Sequence, residues 1–166
     1  MKFFNKATIS TVLVAILSGC MSPSLPATQK SVFIVMKTPV LRYADQGFVS
    51  RGADQVAVEI YANGVAVMKL KIMKAQICNG SGLFSCLSKK EFNTRFLSMH
   101  YPDDIMENIF RGKKVFGGVG VQANSGGFTQ TIKKTGEYAI HYSVLNGSIV
   151  FRDTLSNILI KVKENR

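Results

Sequence analysis

Between Gln55 and Met73 the chain reads QVAVEIYANGVAVMKLKIM, two runs of alternating apolar and polar positions flanking Asn63-Gly64. In the first run Val56, Val58 and Ile60 share one face. In the second Ala66, Met68, Leu70 and Ile72 do, while Lys69 and Lys71 face away. A period of two is the strand period, and Asn-Gly tolerates the positive φ angles of a type I′ turn. The stretch predicts a hairpin with one buried and one wet face. Ser31–Lys37 is a further β-branched apolar run, stopped by Thr38-Pro39. In the last third, Gly126–Lys134, Gly136–Val144, Ser148–Asp153 and Asn157–Lys163 read as short strands, with a second tight turn at Asn146-Gly147. Tyr138, Ile140, Tyr142 and Val144 line one face of the second of these. About seven short strands joined by Gly and Asn turns predict a mainly β domain, a sandwich or barrel.

The helical pattern is confined to residues 87–112. Ser88-Lys89-Lys90-Glu91 is a capping box, with Leu87 and Phe92 at staple positions and Phe96 one turn further on. A second helix is expected from Pro102, with Asp103 and Asp104 in its first turn, an apolar side at Ile105 and Ile109, and an end at Arg111-Gly112.

One apolar run fits neither period. Lys2 and Lys6 precede Ala7–Leu17, about eleven residues, too short for the roughly twenty a helix needs to span a bilayer. A basic start, a short apolar run and small residues make a secretory signal peptide, residues 1–19. The alternative is a buried N-terminal helix with an incidental cysteine. Leu17-Ser18-Gly19-Cys20 resembles the bacterial lipobox, which implies cleavage before Cys20 and acylation of that cysteine. Two or three acyl chains hold a protein to a bilayer far better than one. Met21 stands where the enterobacterial sorting rule expects Asp for inner-membrane retention, so the resemblance implies the outer membrane, with the domain facing the periplasm. Residues 20–30, rich in Pro and Ser, read as a short extended tether before a single domain, 31–166.

That address changes the meaning of the composition. The chain has 21 basic and 10 acidic side chains; loss of Lys2 and Lys6 leaves 19 against 10, a net of +9. In a cytosolic protein such an excess points first to nucleic acid. An exported lipoprotein meets anionic lipid, lipopolysaccharide and acidic envelope proteins instead, so no nucleic-acid partner is expected. With Cys20 assigned to lipid, Cys78 and Cys86 in CNGSGLFSC remain, the even count of an oxidising compartment. A structural disulfide is expected, free thiols being the alternative; the spacing fits neither a redox CxxC nor a zinc knuckle.

Two resemblances carry further expectations. TGEYAIHYSV resembles the G-x-Y-x-[IV] stretch of immunoglobulin-like bacterial domains, in which a tyrosine at the position of Tyr138 forms the tyrosine corner. The paired cysteine and core Trp of antibody domains are missing, so the implied fold is an immunoglobulin-like antiparallel sandwich variant. The lipobox, KTPVLRYADQGF (Lys37–Phe48) and the closing strands together resemble the small lipoproteins of Campylobacter- and Helicobacter-type bacteria. That resemblance implies an address and a fold more than an activity.

Catalytic and cofactor patterns fall short. Gly118–Ala123 matches G-x-G-x-x-A, but no helix pattern follows, so a mobile loop or Gly-bulged edge strand is expected rather than a dinucleotide turn. His100 and His141 lack a third ligand at metal-site spacing. Gly80-Ser81-Gly82 is not a nucleophile elbow, and Asp103-Asp104 suits helix charging better than paired-carboxylate catalysis. Asn79-Gly80-Ser81 and Asn146-Gly147-Ser148 match the glycosylation sequon and read as turns. No catalytic residue, metal or cofactor is expected. The function expected is a non-catalytic module docking on another envelope protein. The alternatives are binding of lipopolysaccharide or anionic phospholipid, and an outward-facing adhesin. Candidate contacts lie in the Gly117–Gly127 loop (Gly117, Gly118, Gly120, Asn124) and in Ala44–Asp54.

Overall fold

The Asn63-Gly64 hairpin forms as its pattern requires: β3 (Gln55–Ala62) and β4 (Val65–Met73) pair antiparallel across a turn whose two residues have φ of 50° and 78°. The computed structural model describes residues 27–165; Cys20, the signal segment and most of the tether lie outside the described residues. Val56, Val58, Ile60, Met68, Leu70 and Ile72 are buried, and Lys69 and Lys71 are exposed. A register shift at Ile60/Tyr61 displaces Ala66 from full burial.

The other strands are β1 (Thr28–Lys37), β2 (Arg42–Arg51), β5 (Gln76–Asn79), β6 (Cys86–Ser88), β7 (Val121–Asn124), β8 (Gly127–Lys134), β9 (Tyr138–Leu145), β10 (Ser148–Asp153) and β11 (Ile158–Glu164). Among the described residues all eleven strands join one antiparallel sheet in the order β6-β5-β4-β3-β2-β1-β11-β10-β9-β8-β7. Every neighbour is consecutive in sequence except β1 and β11, so two meanders are joined through their first and last strands.

The expectation of about seven strands is therefore corrected to eleven, and the pairing is that of one sheet without the Greek-key crossovers of an immunoglobulin-like sandwich. Three of the extra strands have only three or four residues, too few to display a period. The fourth, β2, reads RYADQGFVSR and shows only Val49 as a buried aliphatic. Residues 44–51, expected as part of a contact loop, lie in β2, leaving a turn of Gly52–Asp54. β1 also opens three residues inside the expected tether, because Thr28, Gln29 and Lys30 continue its pairing with β2.

Helix α1 (Lys89–Phe96) starts at the capping box: Glu91 N–H donates to Ser88 Oγ at 3.2 Å, and Ser88 N–H to Glu91 Oε2 at 2.9 Å. Helix α2 (Ile105–Arg111) starts later than Pro102. The Asn93 amide donates to the Pro102 carbonyl at 2.9 Å and holds that residue in the turn ahead of the helix. Gly112 closes α2 in the left-handed conformation (φ 65°) glycine adopts without steric cost. The sheet curls round these helices. α2 touches both β3 and β10, four places apart in the strand order. Inward side chains of both meanders and of both helices belong to one core. Arg51 Nε donates to the Phe110 carbonyl at 2.7 Å, and Tyr142 Oη to the Lys113 carbonyl at 3.0 Å.

Candidate docking surface

In an antiparallel meander successive turns alternate between the two ends of the sheet. The β1–β2, β3–β4, β5–β6, β8–β9 and β10–β11 turns therefore share one end, together with the α1–α2 connection and the entry to β7. The chain start at Thr28 and the end of β11 lie at the other. Among the described residues, six of the eight exposed large apolar side chains sit on that first end: Val40, Val65, Leu83, Met99, Val119 and Leu155. The remaining two, Phe33 and Phe48, lie on the outer face of the sheet.

These tips are held by buried polar side chains. Thr38, 1% exposed, accepts from the Val40 and Leu41 amides through its hydroxyl at 3.3 and 3.0 Å, so Val40 caps a fixed turn. Asn79 Oδ1 accepts from the Ser81 amide at 2.7 Å, and the Gly80 amide donates to the Lys69 carbonyl, fixing the loop that bears Leu83. Gln130, fully buried, accepts from the Val115 amide at 2.9 Å and donates to the Val115 and Val119 carbonyls at 3.0 and 2.8 Å. Asp153 Oδ1 accepts from the Ala139 and Leu155 amides at 2.9 and 3.0 Å, and its Oδ2 accepts from Tyr101 Oη at 2.6 Å. That one carboxylate positions both the Leu155 tip and the segment carrying Met99. Buried polar groups are costly unless paired. Here most of them pair with loops at a single end.

Electrostatics follow from this packing. Burial pushes the Asp153 carboxyl up, but donation from Tyr101 and the two amides outweighs it and leaves the group below its ordinary value. Burial, then the bond to Asp153, raises the Tyr101 phenol far above the usual range, so it stays a donor. The rings of Tyr101, Phe116, Tyr138 and Phe151 pack in edge and tilted contacts beneath.

Gly117 and Gly118 lie in a 3-10 turn (Phe116–Gly118), Gly120 precedes β7, and Asn124 ends it. β7 is an edge strand, the second of the two readings expected for this segment. Gly120 has φ +69°, and a Cβ there would collide with the Thr131 carbonyl, which explains glycine better than a phosphate does. Cys78 and Cys86 form a disulfide, as expected, and face each other across β5 and β6. His141 is exposed on β9. His100 Nδ1 lies 3.4 Å from Glu137 Oε2, and the other oxygen of that carboxylate, Oε1, pairs with Lys134. Among the described residues no group of His, Cys, Asp and Glu is placed to hold a metal ion, and no helix is long and apolar enough to cross a membrane.

Single exposed aliphatic residues carry no motif, so the tips escape sequence reasoning. The legible signal was Thr38-Pro39, a turn former that stops β1. No known family model matches the chain, and no curated protein is detectably similar to it.

Proposed function

We propose that this protein is an exported bacterial lipoprotein, held at the periplasmic face of the outer membrane through acyl chains on Cys20. It acts there as a non-catalytic module that docks on another envelope protein. The observation that carries the docking reading is the set of six exposed apolar tips at one end, five of them on turns or loops tied down by hydrogen bonds and Val65 opening β4. A preorganised contact surface loses less entropy on binding. The N-terminal tether joins at the opposite end, so the tips point away from the point of attachment.

Chemical crosslinking in intact cells, followed by purification of the lipidated protein, tests this. The expected outcome is one reproducible envelope protein, with crosslinks mapping near Val40, Leu155 and Met99. The Val40→Asp/Leu155→Asp variant should lose that partner by tenfold or more while its urea midpoint stays unchanged, since one to two buried apolar anchors are worth about that much. A partner retained by the variant, or no partner above background, would sink the reading.

A further inference from the structure

The outward-facing residues of β8, β9, β10, β11, β1 and β2 include six cations, Lys133, Arg152, Lys161, Lys163, Lys37 and Arg42, and no carboxylate. Asp45, Asp153 and Glu164, the three acids of these strands, alternate to the inner side, and the next outward acid is Glu59 on β3. Register brings the cations together. Lys37 stands opposite Arg42, Leu159 links Lys37 to Arg152, and Lys161 and Lys163 face Val35 and Phe33 of β1. Neighbouring strands lie only about 4.8 Å apart, and like charges directly opposed weaken a sheet. Nothing within the described residues compensates this arrangement.

From this we infer that the outer face is a docking surface for an anionic lipid bilayer. Phe33, 38% exposed, stands opposite Lys163, and half-buried Val35, Val150 and Leu159 lie between the cations; Phe48, equally exposed, stands at the border of the patch between Ser31 and Glu59. An exposed ring and half-buried aliphatic side chains set among lysine stems suit the headgroup–acyl boundary, where the apolar groups enter the apolar layer and the ammonium groups stay with phosphates. Protein interfaces are depleted in Lys, and four of these six cations are Lys. A soluble polyanion would leave the apolar groups in water. Seven residues separate Cys20 from Thr28, a reach of up to about 27 Å, so the anchor proposed above and this face can engage one leaflet together.

The test uses the full lipidated chain, reconstituted on vesicles of phosphatidylcholine or of phosphatidylglycerol. Lysines are acylated with an amine-reactive reagent and read by mass spectrometry at low and high salt. Lys37, Lys161 and Lys163 should label about fivefold less on phosphatidylglycerol at low salt, the effect of one cation held at an anionic surface. Salt should remove the protection, and Lys90 on α1 should be indifferent. Lys161→Glu/Lys163→Glu should abolish protection at Lys37 with unchanged circular dichroism. Equal labelling on both lipids, equal protection of Lys90, or protection by soluble polyphosphate as strong as by vesicles would overturn the inference. A chain that does not stay on phosphatidylcholine defeats the anchor instead; phosphatidylglycerol vesicles added from outside then read the same lysines.

Discussion

Asp153 shows how much one side chain organises. It is 1% exposed, ends β10, turns the chain at Leu155, holds Ala139 of β9 and anchors Tyr101 from between the helices. Its carboxyl titrates below the ordinary value of 3.8. A depressed folded-state value means that the stabilisation is complete above the unfolded-state value and is lost as pH falls through the folded one. Asp153→Asn should lower stability at neutral pH by about 1–3 kcal/mol, because an amide cannot accept from all three donors without turning its own N–H groups on one of them. The variant should also lose part of the wild-type's weakening below about pH 4. Urea unfolding at pH 7 and at pH 3 checks both. In sequence Asp153 looked only like the end of a strand; its partner Tyr101 lies 52 positions away, a pairing no local pattern encodes.

At the scale of elements, local chemistry was the better guide. The capping box at Ser88, the Asn-Gly turns, the glycine stop at 112 and the disulfide each depend on residues a few positions apart, and each formed where its pattern lies. Ser88→Ala should cost about 1 kcal/mol through loss of the N-terminal cap. Cys78→Ser/Cys86→Ser should cost about 2.5 kcal/mol in the chain-entropy account of a small loop. Denaturant midpoints measure both, and a null effect of the first would mean that packing alone holds α1. Elements shorter than a period or two escaped. β5, β6 and β7 exist because a neighbouring strand offers them hydrogen bonds, and β2 because it pairs on both sides. The start of α2 was displaced by a tertiary bond from Asn93 to Pro102.

For the whole molecule, the two meanders share one core through the helices. Phe110, fully buried in α2, should when replaced by Ala cost about 3–5 kcal/mol. Amide exchange should then rise together in β3 and β10; a rise in only one would show that the halves open separately. By itself the sequence determined the strand-rich class, the helical excursion, the best-patterned hairpins and the pairing of Cys78 with Cys86, because periodicity, turn chemistry and cysteine count act over short spans. Only the tertiary structure decided that eleven strands make one curled sheet, and that six scattered aliphatic residues meet at one end. It also decided that basic residues spread through five strands gather on a stretch of the outer face where those strands turn every acid inward. Those three outcomes depend on which strands become neighbours, a choice made by burying both meanders on the same helices and invisible in any local window of the chain.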